Sequence, residues 1–185
     1  MRGRFRSALL ALLAFSAAGC QRLSESERDR VRATFEAYEA FVRAQRDGSA
    51  LATLSIVNHR EAYRRKAQGT DHPAFYQQVF ASLALCEQIQ QHRRDNAGMA
   101  ALGMRVAGTG LPLPAGRADS FTSAWKAGYD DLLATASALL DRAPRESAEI
   151  LAEVLEDTSQ RELFVAYACT GAPARPAAFC AVAGK

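Results

Sequence analysis

The chain has 185 residues, of which 49% are hydrophobic, 23% charged and 8% aromatic, which argues against a disordered or fibrous protein. Its formal net charge is +3, but Arg2, Arg4 and Arg6 supply this excess, and no acidic residue precedes Cys20. If the chain is cut before Cys20, the remainder carries equal numbers of basic and acidic residues, 20 of each. This balance removes the main argument for nucleic-acid binding.

The first twenty residues have the layout of a secretory signal. A basic segment is followed by an apolar stretch over residues 8–15 and by Ser-Ala-Ala-Gly directly before Cys20. The stretch is shorter than the roughly 20 apolar residues that span a bilayer, and no later segment is long enough. We therefore expect residues 1–19 to be removed and no transmembrane helix to remain. A signal peptide cut near the Ala-Ala-Gly cluster would instead release a free secreted protein.

Small residues before a cysteine characterise one class of signal peptide. Ala18 and Gly19 before Cys20 resemble the lipobox of bacterial lipoproteins, and Ala17 departs from the leucine usual in that pattern. The resemblance implies that the Cys20 thiol receives a diacylglycerol and that Cys20, carrying acyl chains such as palmitate, becomes the mature N-terminus. Gln21 is not the aspartate that typically retains lipoproteins in the inner membrane. The resemblance therefore implies a lipid anchor at the periplasmic face of the outer membrane.

The remaining chain repeats its apolar residues at helical spacing, and no long segment alternates with period two. The pattern predicts an all-α fold, a single compact helical bundle of about five to six helices over residues 20–170. The expected helices cover about 24–48, 50–67, 73–95 and 120–142, with a fifth opening at Pro144 and a sixth at Ser159. Residues 171–185 contain Gly and Pro and are expected to form an irregular tail.

Two helix starts and one long connection set these boundaries. Ser24 with Glu27, and Ser159 with Glu162, each fit a capping box, although the last two helices could be one bent helix. Residues 97–118 contain five glycines and two prolines, which predicts a long connection. This connection could divide two small helical domains. A single domain is favoured because three helices of about 75 residues would bury too little surface alone.

Cysteine usage predicts one disulfide. Besides Cys20, the chain has Cys86, Cys169 and Cys180, and an odd number allows at most one internal bond. Cys169 and Cys180 are favoured because the Gly/Pro stretch between them can fold back. Pairing of Cys86 with either of the other two is the alternative. A Cys86 outside the disulfide would be a small buried hydrophobe.

No pattern typical of catalysis or of a cofactor site is found. His59 lies along an apolar helical stripe, His72 stands in a turn before a proline, and His92 lies in a polar helix end. The chain has no CxxC pair and no G-x-S-x-G motif, and the glycines of 98–110 lack the ending of a phosphate-binding loop. We therefore expect a non-catalytic protein without a metal or a cofactor.

Two charged clusters are candidate protein-binding surfaces. The second helix carries a basic cluster in its C-terminal half, and the fifth carries an acidic stripe with steps of 3, 4 and 3: Arg60, Arg64, Arg65 and Lys66, and Glu146, Glu149, Glu153 and Glu156. Solvated helix faces with charges that complement the helix dipole are the simpler interpretation. A further interpretation is that the two clusters face each other.

Size, helicity, lipid anchor and a single disulfide together resemble the small helical pilotins that escort secretins, although no motif of those families is present. The resemblance implies an adaptor that binds an envelope protein near the outer membrane, such as a secretion or assembly component. One alternative is a periplasmic immunity or inhibitor protein against a toxin or hydrolase. A second alternative is an envelope enzyme.

Overall fold

A computed structural model describes residues 22–47, 50–105, 116–171 and 175–185, and side chains except at 45–47, 50, 92, 96–105 and 116–125. The expected signal peptide, the lipobox and Cys20 lie outside the described residues. Within those residues the chain forms seven helices and no strand, so the prediction of an all-α fold is confirmed. The helices are α1 Glu25–Asp47, α2 Ala50–Gln68, α3 Pro73–Arg105, α4 Gly116–Arg142, α5 Pro144–Val154, α6 Thr158–Cys169 and α7 Ala177–Ala183.

Helix α1 is the central element of the bundle. It packs against α2, α3, α4, α5 and α6, so helices from both halves of the chain share one hydrophobic core. Its start follows the capping-box prediction in part, because Glu27 Oε2 accepts the Ser24 backbone N–H at 2.9 Å. Val31, Phe35 and Tyr38 form its buried stripe.

Helices α3 and α4 extend into the segment that was expected to be a connection. Residues 97–105 continue α3 and residues 116–118 begin α4, so the prediction of a long connection over 97–118, with one helical turn near residues 100–106, is wrong at both ends. The physical reason is that an isolated glycine costs a helix only about 1 kcal/mol relative to alanine. The alanines, methionines and leucine around Gly98 and Gly103 favour the helix. Residues 106–115 lie outside the described part of the chain.

The C-terminal part of the chain also departs from prediction. Residues 177–183 form α7, so the tail is not irregular throughout, and Gly171 with φ 138° provides the turn that follows α6. Helices α5 and α6 are separate and do not form one bent helix. Helix α6 begins at Thr158, because Asp157 is its N-cap and accepts the Ser159 N–H at 2.8 Å. The expected capping box at Ser159 is therefore wrong.

Aromatic rings connect the two ends of the chain at the centre of the core. Phe164 of α6 meets Phe35 of α1 edge to face, with ring centroids 5.1 Å apart, and Phe179 of α7 stacks on Phe35 at 6.2 Å. All three side chains are fully buried. Such pairs add to the hydrophobic stabilisation, so α7 belongs to the core rather than to a loose tail.

Candidate partner-binding surfaces

The acidic stripe of α5 is half neutralised by α1. Glu146 accepts the Leu23 backbone N–H at 3.0 Å and pairs with Arg28 at 3.3 Å, and Glu153 pairs with Arg32 at 2.6 Å. These two carboxylates hold α1 against α5. The other two members of the stripe, Glu149 and Glu156, are exposed, and Glu156 lies beyond the end of α5.

The basic cluster of α2 is divided in the same way. Arg60 pairs with Glu87 of α3 at 2.8 Å, Arg64 pairs with Glu61 of its own helix, and Arg65 is exposed. Arg60 therefore joins two helices and is a poor candidate for partner binding, whereas Arg64 and Arg65 remain accessible.

The structure contradicts the interpretation that the two charged clusters face each other. Helix α1 supplies counter-charges to both, since its Asp29 binds Lys66 of α2 at 3.1 Å while its arginines bind the acids of α5. The reason is the position of α1, which packs against α2 and α5 alike.

A charged cleft of about 470 Å³ lies between α1 and the junction of α5 with α6. Arg32, Glu36, Glu39 and Arg43 line one side, and Glu153, Val154, Glu156, Asp157 and Gln160 line the other. Burial raises the pKa of Glu36, which accepts a hydrogen bond from the Tyr63 hydroxyl. Since Arg32 binds Glu153 and Arg43 binds Glu39, much of the charge in this cleft is compensated within the protein.

A larger and more apolar groove lies between α5, α6 and the C-terminal residues, and we call it the C-terminal groove. Its volume is about 650 Å³. Leu151, Val165 and Val182 supply its larger apolar side chains, and alanines of all three helices widen it: Ala148, Ala152, Ala166 and Ala183. Thr158, Arg161, Glu162, Gly184 and Lys185 complete the lining.

Three features hold α7 as a wall of this groove. A disulfide joins Cys169 to Cys180, the pairing favoured from the sequence, and Cys86 is a buried thiol. Asp141 of α4 accepts the backbone N–H groups of residues 177, 178 and 179, at 3.2, 2.8 and 3.1 Å. Phe179 is buried in the core. These contacts give the groove a fixed shape, which is favourable for binding because little ordering remains to be done.

The C-terminal groove could not be predicted from the sequence, because one of its walls is a helix after Gly171, where an irregular tail was expected. The signal present in the sequence is the apolar run from Ala177 to Ala183, which follows Pro176, a residue common at helix starts. The run is too short for periodicity to identify a helix by itself. Its stability comes from Asp141 and Cys169, which are 36 and 11 positions away from their partners.

An aromatic and ionic cluster fixes the segment before α7. Arg175 donates to Asp130 at 2.6 Å and stacks over the Tyr167 ring, and the Tyr167 hydroxyl also donates to Asp130. Burial and this hydrogen bond raise the pKa of Tyr167 to about 12. Burial alone would raise the pKa of Asp130, but the bonds from Tyr167 and Arg175 lower it overall. The cluster therefore ties the chain near Arg175 to α4.

The histidines take ordinary positions. His59 lies 3.5 Å from the Ser55 hydroxyl through Nδ1 and stacks on Tyr63, while His72 is half-buried at the start of α3. The side chain of His92 is outside the described set. Within the described residues, no three His, Cys, Asp or Glu side chains are grouped so that they could hold a metal ion.

These features define an all-α, disulfide-bonded domain with an open apolar groove. Comparison of the chain with protein families, with characterised proteins and with solved structures finds no match. Across the part of the chain that the structure describes, none of the helices combines the length and the apolar character needed to span a bilayer.

Proposed function

We propose that this protein is a non-catalytic adaptor of the bacterial envelope, anchored through Cys20 to the periplasmic face of the outer membrane. The C-terminal groove binds an apolar helical segment of an envelope protein. The observation that carries the proposal is the groove itself, which is open to solvent, largely apolar and lined by three helices that the core and a disulfide hold in position.

The shape of the groove suits an amphipathic helix. Ala148 and Ala152 of α5 and Ala166 of α6 leave room for close approach, and the partly exposed Val165 and Val182 offer apolar contacts beside them. Helices bind such grooves through residues spaced by three and four positions along one face.

Charge at the rim favours a partner helix with acidic residues beside its apolar stripe. Arg161 and Lys185 border the groove, against the single acid Glu162. Rim charges mainly guide association and exclude partners of the wrong sign. The occupant we propose is therefore an amphipathic, locally acidic helix of an envelope protein.

The disulfide supports an address outside the cytosol. Structural disulfides persist in oxidising compartments such as the bacterial periplasm and are rare in the cytosol. Mass spectrometry of the protein purified from membranes tests the anchor directly. The expected species begins at Cys20 and carries acyl chains, and Cys20→Ala abolishes it. A mature protein that begins elsewhere without lipid would overturn the anchor and leave the groove proposal standing.

Site-specific photocrosslinking in cells tests the groove. A photoreactive residue is introduced at Ala152, Ala166 or Val182, and at the exposed control position Ala134 of α4. We expect the three groove positions to crosslink to one segment of one envelope protein, identified by peptide mass spectrometry, with apolar residues at helical spacing. Crosslinks to unrelated segments, or equal crosslinks from Ala134, would contradict the proposal.

Filling the groove provides a second test. Ala166→Trp adds an indole to the groove, whereas Ala134→Trp makes the same change at an exposed alanine of α4 outside the groove. Crosslinking from position 152 should fall about tenfold in the first variant, as expected for a loss of about 1.4 kcal/mol, and persist in the second. The identity of the crosslinked partner also distinguishes the two candidate functions. A secretion or assembly component indicates an adaptor, and a toxin or hydrolase indicates an inhibitor.

A further inference from the structure

The end of the bundle nearest to Cys20 is defined by contacts across several helices. The Leu23 side chain is only 6% exposed and its N–H binds Glu146, so the described chain is held against α5 from its second residue. Residues 20–22 can span about 10 Å when extended. Any anchor on Cys20 therefore lies within that distance of Leu23.

Ion pairs bring the ends of other helices close to the start of α1. Lys66 in the last turn of α2 binds Asp29 of α1 at 3.1 Å, and Arg142 in the last turn of α4 binds Glu27. Arg30 lies over the Phe75 ring at 5.0 Å, which brings the start of α3 to this end. We call these helix ends, together with Leu23 and the first turn of α5, the anchor end. Arg64 and Arg65 belong to it because they share the last turns of α2 with Lys66.

In two ion pairs of the anchor end the acid lies deeper than the base, whereas in the pairs of Lys66 with Asp29 and of Arg64 with Glu61 both partners are similarly exposed. Arg28 is 49% exposed and its partner Glu146 only 18%, and Arg142 is 35% exposed against 23% for Glu27. The inward carboxylates also accept backbone N–H groups, since Glu27 binds that of Ser24 and Glu146 that of Leu23. The pairs of Arg28 with Glu146 and of Arg142 with Glu27 therefore present their guanidinium groups outward.

Further exposed cations extend this outward layer. Arg22, Arg65 and Arg145 are exposed, and none of the described residues forms an ion pair with them. The exposed acids without an ion pair near them are Glu25, Asp71 and Glu149, the last of which lies one helical turn after Arg145. Arg64 binds only Glu61 of its own helix, at the helix surface. Guanidinium groups bind phosphate through paired hydrogen bonds. Basic side chains are attracted to an anionic bilayer only when they lie close to its surface, as those of the anchor end would.

We propose that the anchor end lies against an anionic phospholipid surface and binds headgroup phosphates through Arg22, Arg64, Arg65 and Arg145, so that the bundle stands on the bilayer in one orientation. The inference rests on the proposed acylation of Cys20. In this orientation the C-terminal groove starts close above the bilayer, because Ala148 is only two residues beyond Glu146. The partner segment should therefore lie next to the membrane.

Energy transfer to a headgroup-labelled lipid tests the orientation. A fluorophore is attached to Gln68→Cys at the anchor end or to Gln91→Cys, which lies about 27 Å along α3 from Pro73. The acylated protein is incorporated into vesicles of phosphatidylcholine alone or with added phosphatidylglycerol. With phosphatidylglycerol, transfer from residue 68 should exceed transfer from residue 91 severalfold. In phosphatidylcholine alone the transfer efficiencies from residues 68 and 91 should differ less.

Charge variants identify the residues responsible. Arg64→Gln combined with Arg65→Gln should lower the ratio of the two transfer efficiencies in phosphatidylglycerol vesicles towards its value in phosphatidylcholine alone. The control, Arg43→Gln with Arg93→Gln, removes the same charge at the other end of the bundle and should leave the ratio unchanged. Equal transfer from both labels in the unchanged protein, or a ratio insensitive to Arg64 and Arg65, would overturn the proposal.

The outcome is separable from that of the proposed function. Ala166→Trp, which fills the C-terminal groove, should not change the transfer ratio. If the purified protein carries no acyl chain, salt-sensitive cosedimentation with phosphatidylglycerol vesicles and none with phosphatidylcholine alone would retain the headgroup contact and reject the anchor. Absence of binding to both vesicles in that case would reject both.

Discussion

The backbone N–H of Leu23 donates to Glu146 Oε2 across 3.0 Å, and the Leu23 side chain is buried beside it. The first residues of the described chain are therefore part of the folded domain and not a tether. In the proposed anchored form, only residues 20–22 separate the lipid from the bundle, so the linker would hold the domain close to the membrane.

Lengthening that linker should let the domain leave the membrane surface for part of the time without unfolding it. A 20-residue Gly/Ser insertion between Gln21 and Arg22 leaves the contact of Leu23 with Glu146 intact, so lipidation and stability should not change. Photocrosslinking from Ala152 to a partner at the membrane should fall, because a flexible linker of this length spreads the domain over about 25 Å. A two-residue insertion after Gln21 is the control. Unchanged crosslinking with the long linker would contradict a role for proximity.

Loss of the Asp141 carboxylate should loosen α7. Asp141→Ala removes the acceptor for three backbone N–H groups at the start of this helix and should cost about 1 kcal/mol of unfolding free energy. Hydrogen exchange of residues 177–183 should accelerate more than that of α6. Asp131→Ala, at an exposed position of the same helix, is the control. Equal effects of the two substitutions would argue against the capping role.

Removal of the disulfide should destabilise the protein by about 3 kcal/mol, the value expected for closing a loop of this length. The change is Cys169→Ala with Cys180→Ala, measured by chemical denaturation. A reductant should destabilise the unchanged protein by a similar amount and leave the double variant unaffected. If reductant destabilises the double variant as well, another thiol-dependent contact must contribute.

The aromatic centre should dominate core stability. Phe164 is fully buried between rings of α1 and α7, so Phe164→Ala should cost about 3 to 5 kcal/mol of unfolding free energy. Leu163, its neighbour in the chain, is 60% exposed, and Leu163→Ala should change stability little. A comparable loss from both substitutions would mean that Leu163 is covered in solution.

Glu27 should make stability depend on acid pH. Its hydrogen bond from Arg142, with those from the Ser24 backbone and hydroxyl, lowers its pKa from the usual 4.5 to about 2. Because the folded-state pKa is the lower one, this stabilisation is present above pH 4.5 and is lost as the pH falls towards 2. The stability difference between the unchanged protein and Glu27→Gln should shrink over that range. Glu25→Gln is the control, and a difference that does not change with pH would contradict the assignment.

The existence of α1 to α6, the fold class and the disulfide pairing could be predicted from the sequence because each depends on local information. Val31, Phe35 and Tyr38 mark the buried stripe of α1 by their spacing, and Cys169 and Cys180 are close along the chain. The extent of α3 could not be predicted, since Gly98 and Gly103 suggested a break where the neighbouring residues support a helix.

The candidate surfaces were less predictable because charge partners are separated along the chain. The spacing of Glu146 and Glu153 predicted an exposed acidic stripe, yet these residues bind Arg28 and Arg32, which lie more than 100 positions earlier in the chain. Glu149 gives no such contact and is exposed, although its place in the stripe is equivalent. Periodicity identifies a face of a helix but not the element that packs against it.

The sequence by itself determined the all-α class, most helix boundaries and the favoured cysteine pair, because hydrophobic period, capping residues and loop length act within a few turns of chain. Only the tertiary structure decided that Asp141 and Phe179 make α7 a helix, that α1 neutralises the acids of α5, and that an apolar groove opens beside α7. These features depend on contacts between residues far apart in the chain, which arise only when the helices pack.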